Sequence, residues 1–374
     1  MNLRSVVPAL GLIALSVTAA SAQEIAKGVN LDGYVDVVGT GTTNNSSKEN
    51  ATPSTTDFAS QAVLKVGWSL ADGKVNTLIS TKSTSFSTSS DPTDPKNADG
   101  LEMVEAYASV KATPEITVSA GKSYGPFGYY SAYSTGLTTV TGSLTGNMYT
   151  VNPAGVWLAY APTDKLTITA IVADGYSTQY ENYSVNSEYK VNGAANKVSK
   201  AGIVSPGLDI VFKPTSELTL NAEGYFDPSA GGEDANGKAG SIYYGAFNIE
   251  YKKEAILAAA EVLYMVAENF GETNSKDATL TSWAAYLTYT LPSSSPVAGA
   301  VTGQVSQYLS SKTATDDSDS LTKAQLALLT NPFAVSQFGL NYELFYVMDD
   351  KKNNVAGKAL DTFGIAIEGL YVIP

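Results

Sequence analysis

The sequence predicts an all-β protein of the membrane, an antiparallel transmembrane β-barrel of about sixteen strands. Three observations lead to this prediction: segments that alternate apolar and polar residues, connections that are alternately short and long, and aromatic residues at both ends of the apolar faces. No segment after residue 22 has the roughly 18 consecutive apolar residues that indicate a membrane-spanning helix. We therefore expect residues 23–374 to form a barrel that crosses the membrane with strands.

The alternation is clearest in the segment 217–226, which reads ELTLNAEGYF. Leu218 and Leu220 fall on one face of a strand there, and Thr219 and Glu223 fall on the other. A period of two indicates a strand with one apolar and one solvated face. The same pattern predicts sixteen strands, near 28–40, 58–70, 74–86, 101–112, 115–123, 153–161, 164–174, 206–213, 217–226, 241–251, 255–267, 278–290, 297–309, 321–330, 333–347 and 359–372.

The connections between these strands alternate in length. The short ones carry residues that favour tight turns, such as Asp72-Gly73 and Asn331-Pro332. Short turns at one end and long polar loops at the other are typical of outer-membrane barrels, in which the turns face the periplasm. The segment 321–330 shows the strand pattern least clearly, but as a helix it would leave fifteen strands, an odd number that suits a single-chain bacterial barrel badly. The long loops are predicted at 41–57, 87–100, 124–152, 175–205, 227–240, 268–277, 310–320 and 348–358.

Aromatic residues on the apolar faces give a test that does not depend on counting strands. Outer-membrane barrels place aromatic side chains at both interfaces of the bilayer. A preference of tyrosine for strands would not select face and position together, and a soluble β-sandwich would need a second apolar stripe. The aromatic residues at the short-turn ends are Trp68, Tyr160, Phe212, Tyr251, Tyr289 and Tyr371, and those at the long-loop ends are Phe58, Phe226, Tyr243, Tyr264, Tyr346 and Phe363.

Residues 1–22 are expected to be a cleaved secretory signal, with Arg4 near the start, an apolar run over 6–17 and a small-residue cleavage site at 20–22. The full chain has a formal charge of −13, and the loss of Arg4, its only arginine, makes the mature chain −14. An acidic chain without arginine is a poor partner for nucleic acid.

The chain has no His and no Cys. Catalysis by an imidazole base and zinc binding by the usual ligands are therefore excluded. Hydrolysis by a pair of carboxylates stays open as chemistry, but the composition gives it no support. We expect no enzymatic activity, no cofactor and no metal site.

The polar faces are expected to line a lumen, because sixteen strands enclose an aqueous channel. A lysine on the lipid face near the bilayer centre would cost about 2–4 kcal/mol, which favours inward placement. For any single residue the alternative is a charge that only hydrates the lumen and pairs with a neighbour. Nine acids against five lysines predict a mild preference for cations. The charged pore-lining candidates are Asp32, Asp36, Lys65, Lys82, Glu105, Lys111, Asp209, Lys213, Glu223, Glu250, Glu261, Lys323, Glu343 and Glu368.

Four segments resemble the β-barrel porin-2 (OmpL-like) family of outer-membrane proteins. They are GYVDVVG at 33–39, EAYASVKATPEITVSAGKSYGPFGY at 105–129, GVWLAYAPTDKLTITAIVADGY at 155–176 and FGLNYEL at 338–344. The resemblance implies an outer-membrane barrel that acts as a porin. Two features depart from what it implies: Tyr371 is not the last residue, and the mature chain has no arginine for a basic cluster at the constriction, so only lysines could serve there.

The stretch SAGKSYGPFGYYSAYSTG at 119–136 contains Gly-Lys-Ser, the end of a nucleotide-binding loop. Such a loop would need a glycine where Ile116 stands, and Gly125-Pro126 would oppose the helix that should follow. The triplet is therefore predicted to end a strand, with Lys122 on the lipid face at its outer end.

The connection 124–152 is the candidate constriction loop. In sixteen-stranded porins the third long loop folds into the barrel, and this analogy is the basis of the assignment. The alternative is an exposed cap over the mouth of the barrel. The aromatic candidates for the narrowest point are Tyr124, Phe127, Tyr129, Tyr130, Tyr133 and Tyr149.

The leading functional hypothesis is a passive diffusion channel for small hydrophilic solutes, in the outer membrane of a bacterium. The alternative is a non-conducting, surface-exposed barrel that acts as an adhesin or a structural protein, which the Ser/Thr/Asn-rich loop 175–205 favours. The expected partners are the lipid bilayer and small solutes or ions, with no nucleic acid. Analogy with sixteen-stranded porins is consistent with a homotrimer.

Overall fold

The structure is a computed structural model. It describes residues 23–44, 54–85, 100–123, 128–129, 139–145, 150–151, 154–174, 177–178, 204–228, 240–268, 277–292, 295, 299–312, 317–331, 337–349 and 361–373. The expected signal segment 1–22 lies outside these residues.

Sixteen antiparallel strands form one closed barrel. We number them in chain order: β1 Val29–Asn44, β2 Ser54–Leu70, β3 Val75–Ser85, β4 Gly100–Lys111, β5 Ile116–Lys122, β6 Ala154–Thr163, β7 Leu166–Ala173, β8 Ser205–Phe212, β9 Leu218–Asp227, β10 Ile242–Lys253, β11 Ile256–Ala267, β12 Ala278–Thr290, β13 Gly299–Lys312, β14 Asp317–Thr330, β15 Phe338–Asp349 and β16 Thr362–Ile373.

Each strand pairs with the next one along the chain, and β16 pairs with β1 from Thr362↔Asn44 to Ile373↔Gly33. This up-and-down order leaves no sheet edge, which is the arrangement that a β-structure needs in a bilayer. The predicted fold class and the strand count are confirmed. The uncertain segment 321–330 is part of β14, which pairs with β13 and β15 along its length.

The strands are longer than predicted at several loop ends. The first strand continues to Asn44 and the second begins at Ser54, so that the predicted loop 41–57 shrinks to 45–53. The added residues include a run of threonines that pair across the two strands, Thr42↔Thr55 among them. Threonine favours strands, and the hydrogen-bonded ladder continues above the apolar faces from which the bounds were predicted.

Burial alternates along the strands as the sequence pattern requires. In β11, Leu257 and Leu263 face inward and are buried, whereas Val262 and Tyr264 face outward and are exposed. An exposed apolar outer surface is what a lipid-facing wall presents. Eleven of the twelve predicted interface aromatics lie on this outer face, from half-buried Trp68 and Phe226 to Tyr264. The side chain of the twelfth, Phe58, lies outside the described residues.

Two of the short turns share one local device. Thr113 Oγ1 accepts hydrogen bonds from the backbone N–H groups of Glu115 and Ile116, at 3.2 and 3.1 Å. In the turn between β8 and β9, Thr215 Oγ1 accepts hydrogen bonds from the backbone N–H groups of Glu217 and Leu218, at 3.3 and 3.2 Å. Threonine therefore satisfies backbone donors that the tight turn would leave open.

Three local features complete the barrel. The short strand Gln23–Ala26 pairs with the start of β1, and Thr150–Val151 pairs with Ser177–Thr178 beyond the β6–β7 hairpin. A bulge in β4 gives it one extra residue, Val104, opposite β3. No helix in the described part of the chain is long and apolar enough to cross a membrane.

Candidate functional site: a loop docked on the inner wall

The connection between β5 and β6, residues 123–153, enters the barrel; we call it L3. The structure describes residue 123 and the segments 128–129, 139–145 and 150–151 of L3. Tyr129 and Leu144 are buried against inward side chains of the strands from β6 to β13. Val140 packs on inward side chains of β15 and β16. The described contacts beyond Ser123 therefore place these segments of L3 on the inner wall.

Three carboxylates hold one part of L3, and we call them the acidic anchor: Glu223 of β9, Glu250 of β10 and Glu261 of β11. The backbone N–H of Gly128 donates to Glu223 Oε1 at 2.5 Å. Tyr129 donates twice, through its N–H to Glu261 Oε2 at 3.3 Å and through its hydroxyl to Glu250 Oε2 at 2.9 Å. Hydrogen bonds to an ionised carboxylate are about twice as strong as those between neutral groups, so the anchor fixes Tyr129 at both ends.

The acidic anchor also receives the far end of the loop. Thr145 Oγ1 donates to Glu261 Oε1 at 2.5 Å, and the Tyr286 hydroxyl of β12 donates to the same oxygen. The rings of Tyr129 and Tyr286 lie 5.2 Å apart, a separation at which aromatic pairs attract. One carboxylate, Glu261, therefore binds both residue 129 and residue 145 of L3.

A second anchor lies on β14 and β15 and grips the segment 140–142. Glu343 Oε2 accepts the backbone N–H groups of Val140 and Thr141, at 2.6 and 3.2 Å, and Oε1 accepts the Thr141 hydroxyl. Lys323 Nζ donates to the carbonyl oxygens of Thr141 and Gly142, at 3.2 and 2.9 Å. A buried carboxylate and a buried ammonium thus satisfy opposite sides of one peptide segment.

A close approach between β15 and β16 supports this second anchor. The ring of Phe345 covers Gly364, its directly paired residue, so that a Cβ at position 364 would lie 2.0 Å from the ring. The same ring lies 5.2 Å below Lys323 Nζ, within the range of a cation–π attraction. Phe345 also packs on Val140. Glycine at 364 therefore allows the ring to fill this site.

Gly364→Ala is expected to lower the stability of the barrel by about 1–3 kcal/mol, because overpacking forces Phe345 out of its site. The measurement is the urea midpoint of the folded barrel in detergent. Gly369→Ala in the same strand is the matched control, since a Cβ there would meet nothing within 4 Å. Equal midpoints for the two variants would contradict the packing described here.

Of the aromatic candidates in L3, the structure describes Tyr129, whose ring is 6 % exposed and lies against the wall. The other candidates, Tyr124, Phe127, Tyr130, Tyr133 and Tyr149, lie outside the described residues.

The charged candidates divide into three groups by exposure. Lys111 and Lys213 are exposed at the turn end of the barrel. Asp32, Lys65, Lys82 and Glu250 are half-buried on the inner face. The buried ones are Asp36, Glu105, Asp209, Glu223, Glu261, Lys323, Glu343 and Glu368. Sequence reasoning did not separate these groups, because the burial depends on L3 and on neighbouring strands.

The lysines on the early strands lie among carboxylates. Lys65 pairs directly with Asp32 of β1 and with Ser80 of β3, and Ser80 pairs in turn with Glu105 of β4. Directly paired residues share a face, so this row alternates in charge along the inner wall. Because the opposite charges in this row partly cancel, the electrostatic field near it is weaker than a row of one sign would produce.

The sequence analysis missed inner-face charges at the ends of strands, and one acid and one lysine are examples. Asp227 lies at the end of β9 and Lys252 near the end of β10, each just beyond the predicted strand. Strand bounds taken from apolar alternation end early when the last residues are charged.

The Gly121-Lys122-Ser123 triplet ends β5 and carries no helix after it in the described residues. Lys122 points outward, and its Nζ donates to the carbonyl oxygen of Met103 on β4 at 2.7 Å. Lys122 therefore lies on the outer face, as predicted.

With the barrel and its loop defined, comparison with known proteins identifies the family. The model of the family described as "Putative beta-barrel porin-2, OmpL-like" matches residues 28–299. The chain belongs to this family. Of the four resembling segments, 338–344 lies beyond the matched residues. No curated protein matches the chain.

Solved structures show the same fold at low identity. The outer membrane channel DcaP of Acinetobacter baumannii is 11% identical with a TM-score of 0.64, and the comparison covers 92% of this chain and 97% of that one. For OprB of Pseudomonas putida the identity is 10%, the TM-score 0.61 and the coverage 93% and 95%. The anion-selective porin from Comamonas acidovorans is 11% identical with a TM-score of 0.59, and the comparison covers 92% of this chain and 99% of that one. This OmpL-like protein is thus a porin-like outer-membrane barrel.

Proposed function

We propose that this OmpL-like barrel is a passive diffusion channel for small hydrophilic solutes, with a mild preference for cations. The observation that carries the proposal is a closed sixteen-stranded barrel with L3 held on its inner wall. Sixteen strands enclose more space than their own side chains fill. A loop fixed inside that space narrows it, and the two anchors give the loop a defined position.

The path for solutes is proposed to run beside the arc of wall formed by β1 to β4. The described hydrogen bonds of L3 beyond Ser123 go to strands β9 to β15, and on β1 the residue Val38 packs on the same cluster as Val140. The β1–β4 arc carries Asp32, Lys65 and Lys82, which are half-buried and thus in reach of water. These three residues are the charges that a passing ion is proposed to meet.

The preference for cations rests on the charges that remain after L3 has docked. The acidic anchor accepts hydrogen bonds from neutral amide and hydroxyl groups, and such donors stabilise a carboxylate without cancelling its charge. At the second anchor, Lys323 acts on the same loop segment as Glu343. The inner wall therefore keeps an excess of negative charge, while Lys65 and Lys82 moderate it.

Insertion of the purified protein into a planar bilayer tests the function. We expect stepwise increases in current, and in a KCl gradient a reversal potential displaced modestly toward the potassium equilibrium value. A folded barrel that gives no steps at any voltage would overturn the channel proposal and support the alternative of a surface protein. A displacement toward chloride would overturn the cation preference alone.

Charge changes on the β1–β4 arc are expected to move the reversal potential in opposite directions. Lys82→Gln should increase the preference for potassium, and Asp32→Asn should decrease it, because each removes one charge from the proposed path. Lys122→Gln is the matched control, since Lys122 lies on the outer face. If the outer-face variant shifts the potential as much as Lys82→Gln does, the path has been misplaced.

Export and assembly belong to the same proposal. We infer that a signal peptide of residues 1–22 is removed on export, which N-terminal sequencing of the membrane form would test. A homotrimer is inferred by analogy, and the mass of the detergent-solubilised protein would decide it.

A further inference from the structure

Two carboxylates face each other on the inner wall of β8 and β9. Asp209 and Glu223 are directly paired across the two strands, and their side chains are 1% and 7% exposed. Directly opposed residues of an antiparallel pair have Cβ atoms about 4.5–5.5 Å apart, and like charges in such positions destabilise the pair. A compensating group is therefore needed at this place.

The hydrogen bonds around this pair leave two oxygen atoms open. Asn221, two residues before Glu223 on the same face, donates its amide to Glu223 Oε2 at 3.2 Å and also hydrogen-bonds to the Asp209 carboxylate, and Gly128 of L3 donates to Glu223 Oε1. Asp209 Oδ1 and Asn221 Oδ1 are buried and have no hydrogen-bond partner in the described structure. Burying an acceptor without a partner costs about 1–3 kcal/mol, and an unpaired carboxylate costs more.

No lysine in the paired positions supplies the missing positive charge. The residue opposite Asp209 on β7 is Thr169, and the residue opposite Glu223 on β10 is Ala246. Lys213 shares the face of Asp209 but lies four residues along the strand, about 13 Å away, and is exposed at the end of the barrel. The further described charge that acts on Glu223 is Glu261 of β11, which is also negative.

We propose that Asp209, Glu223 and Asn221 form a binding site for a hard divalent cation of the Ca²⁺ type. Two carboxylates balance the charge of such an ion, the open amide oxygen adds a neutral ligand, and water completes the coordination. Oxygen ligands suit calcium and magnesium rather than zinc, so the lack of His and Cys does not oppose the site. It departs from the expectation of no metal, and no group of three or more acidic side chains suited to a metal occurs among the described residues.

The site is joined to the constriction loop through Glu223. One oxygen of this carboxylate accepts a hydrogen bond from the N–H of Gly128. The pairing of β8 with β9 places Glu223 directly opposite Asp209. A bound cation would remove the repulsion between the two carboxylates and hold Glu223 in place. Cation binding should therefore stabilise the acidic anchor as well as the wall.

The test uses the full refolded chain in detergent, so that it does not depend on whether the barrel conducts. Chelator-treated protein is titrated with CaCl₂ by calorimetry, and with Tb³⁺ by luminescence on excitation of tyrosine, since Tyr225 and Tyr244 lie on the same wall. We expect one saturable site in the wild type and an affinity at least tenfold lower in Asp209→Asn. Asp164→Asn, which removes a carboxylate exposed in the short turn between β6 and β7, should bind as the wild type does.

A gain of affinity guards against variants that simply fold badly. Asn221→Asp supplies a third carboxylate and is expected to bind Ca²⁺ more tightly than the wild type, by about tenfold. The proposal is overturned if wild type binds neither ion, or if Asp209→Asn binds both as tightly as wild type. It is also overturned if Asn221→Asp, shown to be folded by its heat-modifiable mobility, binds no more tightly than wild type.

Discussion

Glu343→Ala is expected to release the 140–142 segment of L3 from the wall. The change leaves two backbone N–H groups and the Thr141 hydroxyl without their acceptor, and it leaves Lys323 buried without a counter-charge. Breaking a buried ionic arrangement by removing one partner costs about 3–5 kcal/mol. The docked state of L3 should therefore lose at least about a hundredfold in population relative to the released state.

The measurement is the rate of chymotrypsin cleavage within L3 of the folded barrel, together with the noise of the open-channel current. Both should rise in Glu343→Ala. Asp164→Ala is the control, because Asp164 is exposed in the short turn between β6 and β7. A cleavage rate that stays at the wild-type value would show that Glu343 does not hold L3.

The second anchor also allows a test of coupling. Lys323→Met removes the donor to Thr141 O and Gly142 O and is expected to loosen the same segment. Because Glu343 and Lys323 act on one residue, Thr141, their effects should not add in the double variant. Additive effects would mean that the two side chains hold L3 independently.

Deletion of residues 126–146 is expected to raise the conductance several-fold, because it removes the described loop segments that occupy the lumen. The preference for cations should increase at the same time, since Glu223, Glu250, Glu261 and Glu343 would lose their loop donors and face water. Planar-bilayer conductance and the uptake of sugars of increasing size into liposomes measure the width of the pore. The reversal potential in a KCl gradient measures the preference for cations.

The matched control is a deletion of equal length, 181–201, in the next long loop. It is expected to leave the conductance near the wild-type value. The L3 deletion should also lower stability, because it exposes the apolar inner wall on which Tyr129 and Leu144 pack. Equal conductance in wild type and in the L3 deletion would show that L3 does not set the width of the pore.

Much of the barrel followed from local pattern. The period-two alternation located all sixteen strands and assigned Glu261 to the inside and Tyr264 to the outside, because the two faces of a strand carry residues suited to their two environments. The same argument failed at strand ends, where Asp227 and Lys252 continue the ladder after the apolar residues stop. Backbone pairing with the neighbouring strand determines where a strand ends, and the sequence of one strand does not show how long its partner is.

By itself, the sequence determined the strand number, the inward and outward faces, the aromatic interfaces and the exclusion of histidine and cysteine chemistry. It also placed Glu223, Glu261 and Glu343 on the inner face. Only the tertiary structure decided what those carboxylates do there. Val140 and Glu343 are separated by 203 residues, so their contact depends on closure of the barrel and on the path of L3. Alternation is a local property of each strand, whereas anchoring is a property of residues that meet only after folding.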